Sequence, residues 1–238
     1  MRGILIIALV VSGAIHAAGN DYEEIRELSL DSRGIDTLSV GNGSGSIDIV
    51  GVANASEISI TATLVVPGGN EDKARKRIEE DLRLTLRQDS DTAVLVAYFE
   101  RGGWFNWNDE PSVSLEIRMP ENMHLAVDDG SGSIDIDGVR GDILLDDGSG
   151  SIELTDVGGQ IEIDDGSGSI SADRVGGDIT VNDGSGSIRI RGVAGSVTVD
   201  DGSGSINVSD VEQDLTIIDD GSGGLDFSNI AGRVKTAS

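Results

Sequence analysis

"DDGSGSIDIDGVRGDILLDDGSGSI" occupies residues 128–152, and its first seven residues return as its last seven, 18 positions later. The same heptapeptide stands at 164–170 and 200–206, with "NDGSGSI" at 182–188, "DDGSGGL" at 219–225 and an outlying "GNGSGSI" at 41–47. The first Gly of each block falls at 130, 148, 166, 184, 202 and 221, so the spacing is 18 four times and then 19. A fixed period of this kind marks a repeat architecture. Inside each unit the apolar residues alternate, I-x-I and then I-x-V, which is the period of a strand. The unit has no room for a helix. An identical unit every 18 residues lays each strand beside its own copy in the next turn, parallel and in register. The predicted fold is an all-β, single-chain parallel β-helix, a β-solenoid of 18 residues per coil. Stacked at ~4.8 Å, six or seven coils make a rod of roughly 30 Å.

Apolar ladders fill the inside of that rod. One column is Ile134, Ile152, Ile170, Ile188, Ile206 and Leu225; another is Val139, Val157, Val175, Val193, Val211 and Ile230. A left-handed hexapeptide helix would need an apolar residue every six positions, and the acid pair breaks that pattern. The usual sense of parallel β crossovers predicts a right-handed coil.

The chain divides into three stretches. Residues 1–18 carry Arg2, an apolar run over Ile4–Val11 and small residues at Ala14, Ala17 and Ala18, the layout of a secretory signal peptide. The run is about half of the ~20 residues a membrane span needs. Residues 19–127 read as an N-terminal region holding a first coil, further strands and a cap. There "EISITATLVV" (57–66), "LRLTLRQ", "TAVLVAYF" and "SVSLEIRMP" read as strands, and "NEDKARKRIEEDL" (70–82) as a short helix that Asn70 can cap. Residues 128–238 are the regular coils.

With 17 Lys and Arg against 43 Asp and Glu, the formal charge is −26. Loss of residues 1–18 removes Arg2 and no acid, leaving 16 against 43, or −27. Such a surface argues against nucleic acid as a partner, because phosphate contacts need Lys and Arg. It leaves a protein, a glycan or another envelope component. There is no Cys, so neither disulfides nor thiol chemistry enter.

The order of the pieces resembles a known family. "LSVGNGSGSIDIVGV" (38–52), "EISITATLVV", a short charged helix, "VSLEIRMPE" (113–121) and "HLAVDDGSGSIDIDGVRGDI" (124–143) are similar to the "putative adhesin" family of bacterial β-solenoid domains. The resemblance covers roughly 35–236. It implies an exported, non-enzymatic solenoid in the periplasm or at the cell surface, and some relatives are associated with envelope stress sensing. It supplies no catalytic residues.

Two features carry candidate chemistry. The second acid of each pair forms a column: Asp129, Asp147, Asp165, Asp183, Asp201 and Asp220, headed by Asn42. Like charges at strand spacing repel, so turn amides, solvent or a hard cation such as Ca²⁺ must offset them. The expected arrangement is a solvated, turn-forming Asp, with a Ca²⁺ ladder as the alternative; no other cofactor is indicated. In the same corner, Gly130 and Gly132 are expected to point inward and Ser131 and Ser133 outward. The second feature is "GGWFNWND", where Trp104, Phe105 and Trp107 gather three of the seven aromatics in one connection. They could contact a partner or fold back over the open end of the rod.

Catalysis finds little support. His16 lies in the leader and His124 stands alone, so the Ser ladders lack a base. A glycan-acting β-helix enzyme would need long groove-forming loops, which these coils lack.

Overall fold

The two apolar alternations of each unit become two strands facing each other across the core. The computed structural model describes residues 10–16, 21–68, 70–100 and 110–236. Its strands begin with β1 (Val10–His16), β2 (Tyr22–Asp31), β3 (Thr37–Asn42), β4 (Ile47–Val52) and β5 (Glu57–Val66). The helix α1 (Glu71–Asp81) follows, then β6 (Leu82–Asp89), β7 (Thr92–Phe99) and β8 (Ser112–Pro120). The regular coils run β9 (His124–Asp129) and β10 (Gly132–Asp137), β11 (Ile143–Asp147) and β12 (Gly150–Val157), then β13 (Ile161–Asp165) and β14 (Gly168–Val175). They continue with β15 (Ile179–Asp183) and β16 (Gly186–Val193), β17 (Val197–Asp201) and β18 (Gly204–Val211), β19 (Leu215–Asp219) and β20 (Gly224–Ile230), and end at β21 (Val234–Thr236).

These strands form two sheets. Sheet I runs β1-β2-β5-β8-β4-β10-β12-β14-β16-β18-β20, and sheet II runs β21-β19-β17-β15-β13-β11-β9-β3-β7-β6. Along the repeats every pairing is parallel, and all but β17 with β19 keep their register: Ile134 lies beside Ile152, and Ile143 beside Ile161. The parallel β-solenoid of 18-residue coils is therefore the observed fold. Its apolar columns are buried on both sheets, from Ile134 and Ile143 to Ile206 and Leu215. No helix among the described residues is long and apolar enough to cross a membrane.

Stacking order departs from chain order at one end. The early coil β3–β4 is sandwiched between β7–β8 above and β9–β10 below. The chain thus makes one coil, leaves it to build the cap, adds a coil on top, and returns underneath. Antiparallel strands extend both sheets past that coil: β5, β2 and β1 on sheet I, and β6 on sheet II. Helix α1 joins β5 to β6 and buries Ala74 and Ile78 in the core. The Asn70 side chain accepts the Lys73 N–H at 2.9 Å, the expected N-cap.

The other end is less covered. In β20 and β21 the inward columns lose their cover, and Phe227 and Val234 are 41% and 40% exposed.

Candidate functional site

Strands β9, β11, β13 and β17 of sheet II end in an acid pair and β15 in Asn182-Asp183, and alternation decides which residue of the pair enters the core. In β11, Ile143 and Leu145 point inward, so Asp147 does too, while Asp146 points out. The result is a column of buried carboxyls: Asp129, Asp147, Asp165, Asp183 and Asp201 are 3, 2, 1, 2 and 0% exposed. Asp128, Asp146, Asp164 and Asn182 stay in solvent. The expected solvated Asp describes only this outer column; the inner one is dry, because the strand does not end until after it.

The turn holds four of the five inner acids by one oxygen. The backbone N–H of Ser149, Ser167, Ser185 and Ser203 donates to Oδ1 of Asp147, Asp165, Asp183 and Asp201, at 3.2, 3.0, 2.9 and 2.9 Å. These are Asx turns. The Oδ2 atoms of Asp147, Asp165, Asp183 and Asp201 are buried with no hydrogen-bond partner, and so are both oxygens of Asp129. Asn42 pairs with Asp129 across β3 and β9, and its own amide atoms are likewise buried without a partner. Ala97 lies beyond Asn42 and closes the column with a methyl group.

Burial raises every one of these carboxyls. Asp129 is pushed up to about 6 by desolvation and then by the charge of Asp147, against the opposing pull of the nearby Asn42, Gly130 and Ser131 groups. Asp165 and Asp183 also reach about 6, again through desolvation first, with the Ser amides drawing them back and neighbouring column acids adding to the rise. Asp147 and Asp201 move in the same direction for the same leading reason.

Asp220 does not join the column. The last coil carries one extra residue, and the register shifts beyond Val199 and Ile217, leaving Ile218 54% exposed. Asp219 takes over the turn, accepting the Gly221 N–H at 2.9 Å. Among the described residues, no group of three His, Cys, Asp or Glu is arranged to hold a metal ion.

The glycines of the corner face along the stack and not inward, which corrects the expectation. A Cβ on Gly168, whose φ is +155°, would stand 1.5 Å from the carbonyl oxygen of Gly150 in the previous coil. The ladder continues round the corner there, with the Gly148 N–H donating to the Asp129 carbonyl at 3.0 Å and the Gly150 N–H to that of Ser167 at 3.0 Å. Only a residue without Cβ permits coils to stack this closely at a bend.

Two further columns escaped the sequence reading. At the entry to sheet II, Oδ1 of Asp142, Asp178 and Asp214 accepts the N–H of Gln160, Ser196 and Arg233 in the following coil, at 2.9, 2.7 and 2.8 Å. At the end of sheet I, Gly138, Asp156, Arg174, Gly192, Asp210 and Asn229 all have positive φ. The signal was present as Gly, Asp or Asn just before each inward Val, with Arg174 the exception. Arg174 pairs with Asp156 at 2.6 Å and with Asp173, and Arg191 pairs with Asp173 at 2.6 Å.

Sheet I presents its outer face in polar rows. Ser169, Ser171, Ser187, Arg189, Ser205 and Asn207 border a shallow depression of about 560 Å³. Trp104, Phe105 and Trp107 lie outside the described residues. The ends of their connection, Glu100 and Glu110, border a second opening of about 410 Å³ with Gly43 and Gly130, above the acid corner.

The Toastrack DUF4097 family model matches residues 35–236. No curated protein matches the chain significantly. Among solved structures, the chain is similar to a "putative adhesin" from Bacteroides fragilis, at 10% identity and TM-score 0.44, covering 90% of this chain and 97% of that one. It is similar to a "putative cell adhesion protein" from Clostridium sporogenes, at 10% identity and TM-score 0.37, over 90% and 98%. A "putative lipid binding protein" from Parabacteroides distasonis aligns at 14% identity and TM-score 0.42, over 91% and 97%.

Proposed function

The chain belongs to the Toastrack DUF4097 family, and from that premise we propose that it is an exported, non-catalytic interaction module of the bacterial cell envelope, adhesin-like or envelope-sensing. The observation that carries this reading is the outer face of sheet I. In-register stacking repeats a hydroxyl, guanidinium or amide group every ~4.8 Å along a stiff rod. Ser171, Arg189 and Asn207 stand side by side on three consecutive coils. Such a face suits a long polar partner, a glycan strand or a protein edge, better than a small substrate, which would need a deep pocket.

The export part of this reading rests on the signal-peptide layout of residues 1–18. Cleavage after Ala17 or Ala18 removes β1 and leaves β2 as the edge of sheet I. Mass spectrometry of the chain recovered from the periplasm or medium tests this. A mature N-terminus at residue 18 or 19 supports export, and an intact chain retained in the cytoplasm sinks it.

Binding is tested with isolated cell envelopes and a folded triple variant, Ser171→Glu, Arg189→Glu and Asn207→Glu. Sedimentation of the wild-type rod with envelopes and loss of that binding in the variant supports the reading. Equal sedimentation of both contradicts the assignment of the face. The Ca²⁺ alternative remains a reading of the acid column only, and melting with and without Ca²⁺ and chelator decides it.

A further inference from the structure

The most unusual chemistry in the molecule sits inside the corner. Five carboxyls run in a file through the rod, each adjacent to the next through in-register pairs: Asp129 with Asp147, Asp147 with Asp165, Asp165 with Asp183, and Asp183 with Asp201. All are at most 3% exposed. Each has at least one oxygen that reaches neither water nor a donor. An isolated carboxylate left in that condition is costly, and a stack of five is more so.

The groups facing the file bring no relief. The charge of Asp147 acts on Asp129; that of Asp146, from the outer side, on Asp147; those of Asp147 and outer Asp164 on Asp165; and those of Asp165 and Asp201 on Asp183. The charges of Asp219, Asp220 and Asp200 act on Asp201. Every charged group acting on the file is another acid. Among the described residues, the groups that oppose this are the Ser and Gly amides of the turn and, at the head, the amide of Asn42.

A hard cation meets the same obstacle. Ca²⁺ takes about six to eight oxygen ligands. Here the main-chain carbonyls of Asp129, Asp147, Asp165 and Asp183 already accept the N–H of Gly148, Gly166, Gly184 and Gly202. One Oδ1 per turn is committed to Ser in four of the five coils. A proton asks for one donor and one acceptor, which two neighbouring carboxyls supply.

We infer that the aspartate file is a proton-binding site, in which carboxyls of successive coils share protons along the solenoid axis. A protonated Oδ2 donates to the unpartnered oxygen of the next coil, and water supplies the proton. Asn42, whose buried amide is also without a partner, ends the file with a group that can donate to Asp129 and carries no charge. Titration belongs to the file as a whole and not to one residue. The rod thereby gains an internal element whose charge follows the acidity of its surroundings.

Infrared difference spectroscopy of the full chain with ¹³C-labelled Asp carboxyls reads this directly. The expected result is a protonated-carboxyl band that persists well above the ordinary Asp range of 3.8 and disappears around pH 6. In Asp165→Asn the band weakens and its midpoint falls, because the neighbours lose a like charge. In Asp164→Asn, on the outer column, the band keeps its size and its midpoint falls less, because Asp164 contributes the smallest like-charge effect on Asp165. Complete ionisation of all Asp carboxyls by about pH 5 in the wild type, a spectrum that needs no variant, overturns the inference. So does loss of the band on adding Ca²⁺ alone at fixed pH with a rise in Tm, which assigns the file to a cation.

Discussion

A single carbon atom decides what the corner tolerates. Gly168→Ala places a methyl group 1.5 Å from a backbone oxygen that cannot move without breaking the ladder. It is expected to cost more than ~4 kcal/mol, or to prevent folding. Gly34 also has positive φ, +76°, but meets open space. Gly34→Ala costs only about 1 kcal/mol, the left-handed backbone alone. Urea unfolding of both variants separates close approach from backbone preference. At the head of the file, Asn42→Asp adds a sixth buried carboxyl; it lowers the melting midpoint near neutral pH and recovers most of the loss in mild acid. The inward acid was legible from residues 143–147, where Ile143 and Leu145 carry the alternation forward onto Asp147. Following the register backward from Ile134 instead crosses glycines, where a side-chain direction has no meaning.

At the scale of the element, the sequence pattern was informative wherever it was local. Strands β5, β7 and β8 and helix α1 follow from alternation, β-branched residues and an Asn cap. The insertion of β3–β4 between two later coils did not follow, because periodicity marks that a coil exists and says nothing about which coil it touches. The extra residue at Ile218 was visible as a spacing of 19, yet its effect, a bulge after which Asp219 pairs with Asp200 and accepts the turn N–H of Gly221, depends on pairing with the coil before. Coil position also sets energetic weight. Ile190, fully buried in β16, is expected to lose about 2–5 kcal/mol on truncation to Ala. Phe227, 41% exposed in β20, loses about 1 kcal/mol despite its larger side chain. Denaturant midpoints of the two variants check the difference.

Over the whole molecule, the charge of −26 has two parts with opposite pH behaviour. On the surface Asp31, Asp156 and Asp214 are held below the ordinary range by Arg33, Arg174 and Arg233. Their stabilisation is present at neutral pH and is lost as the pH falls through their lowered values. The buried file works the other way. Its carboxyls are raised in the folded chain, so folding takes up protons, and the stability they favour is full below about 3.8 and is lost as the pH rises through about 6. The central claim is that the second acid of five successive corners, Asp129 to Asp201, belongs to the core. Thermal melting of the wild type and of Asp183→Asn between about pH 4.5 and pH 8 tests it most directly. The account predicts a wild-type Tm that falls by several degrees as the pH passes 6, with a shallower slope and a higher Tm at pH 8 in the variant. A wild-type Tm that is flat or rising across that interval, with no gain in the variant, would contradict it.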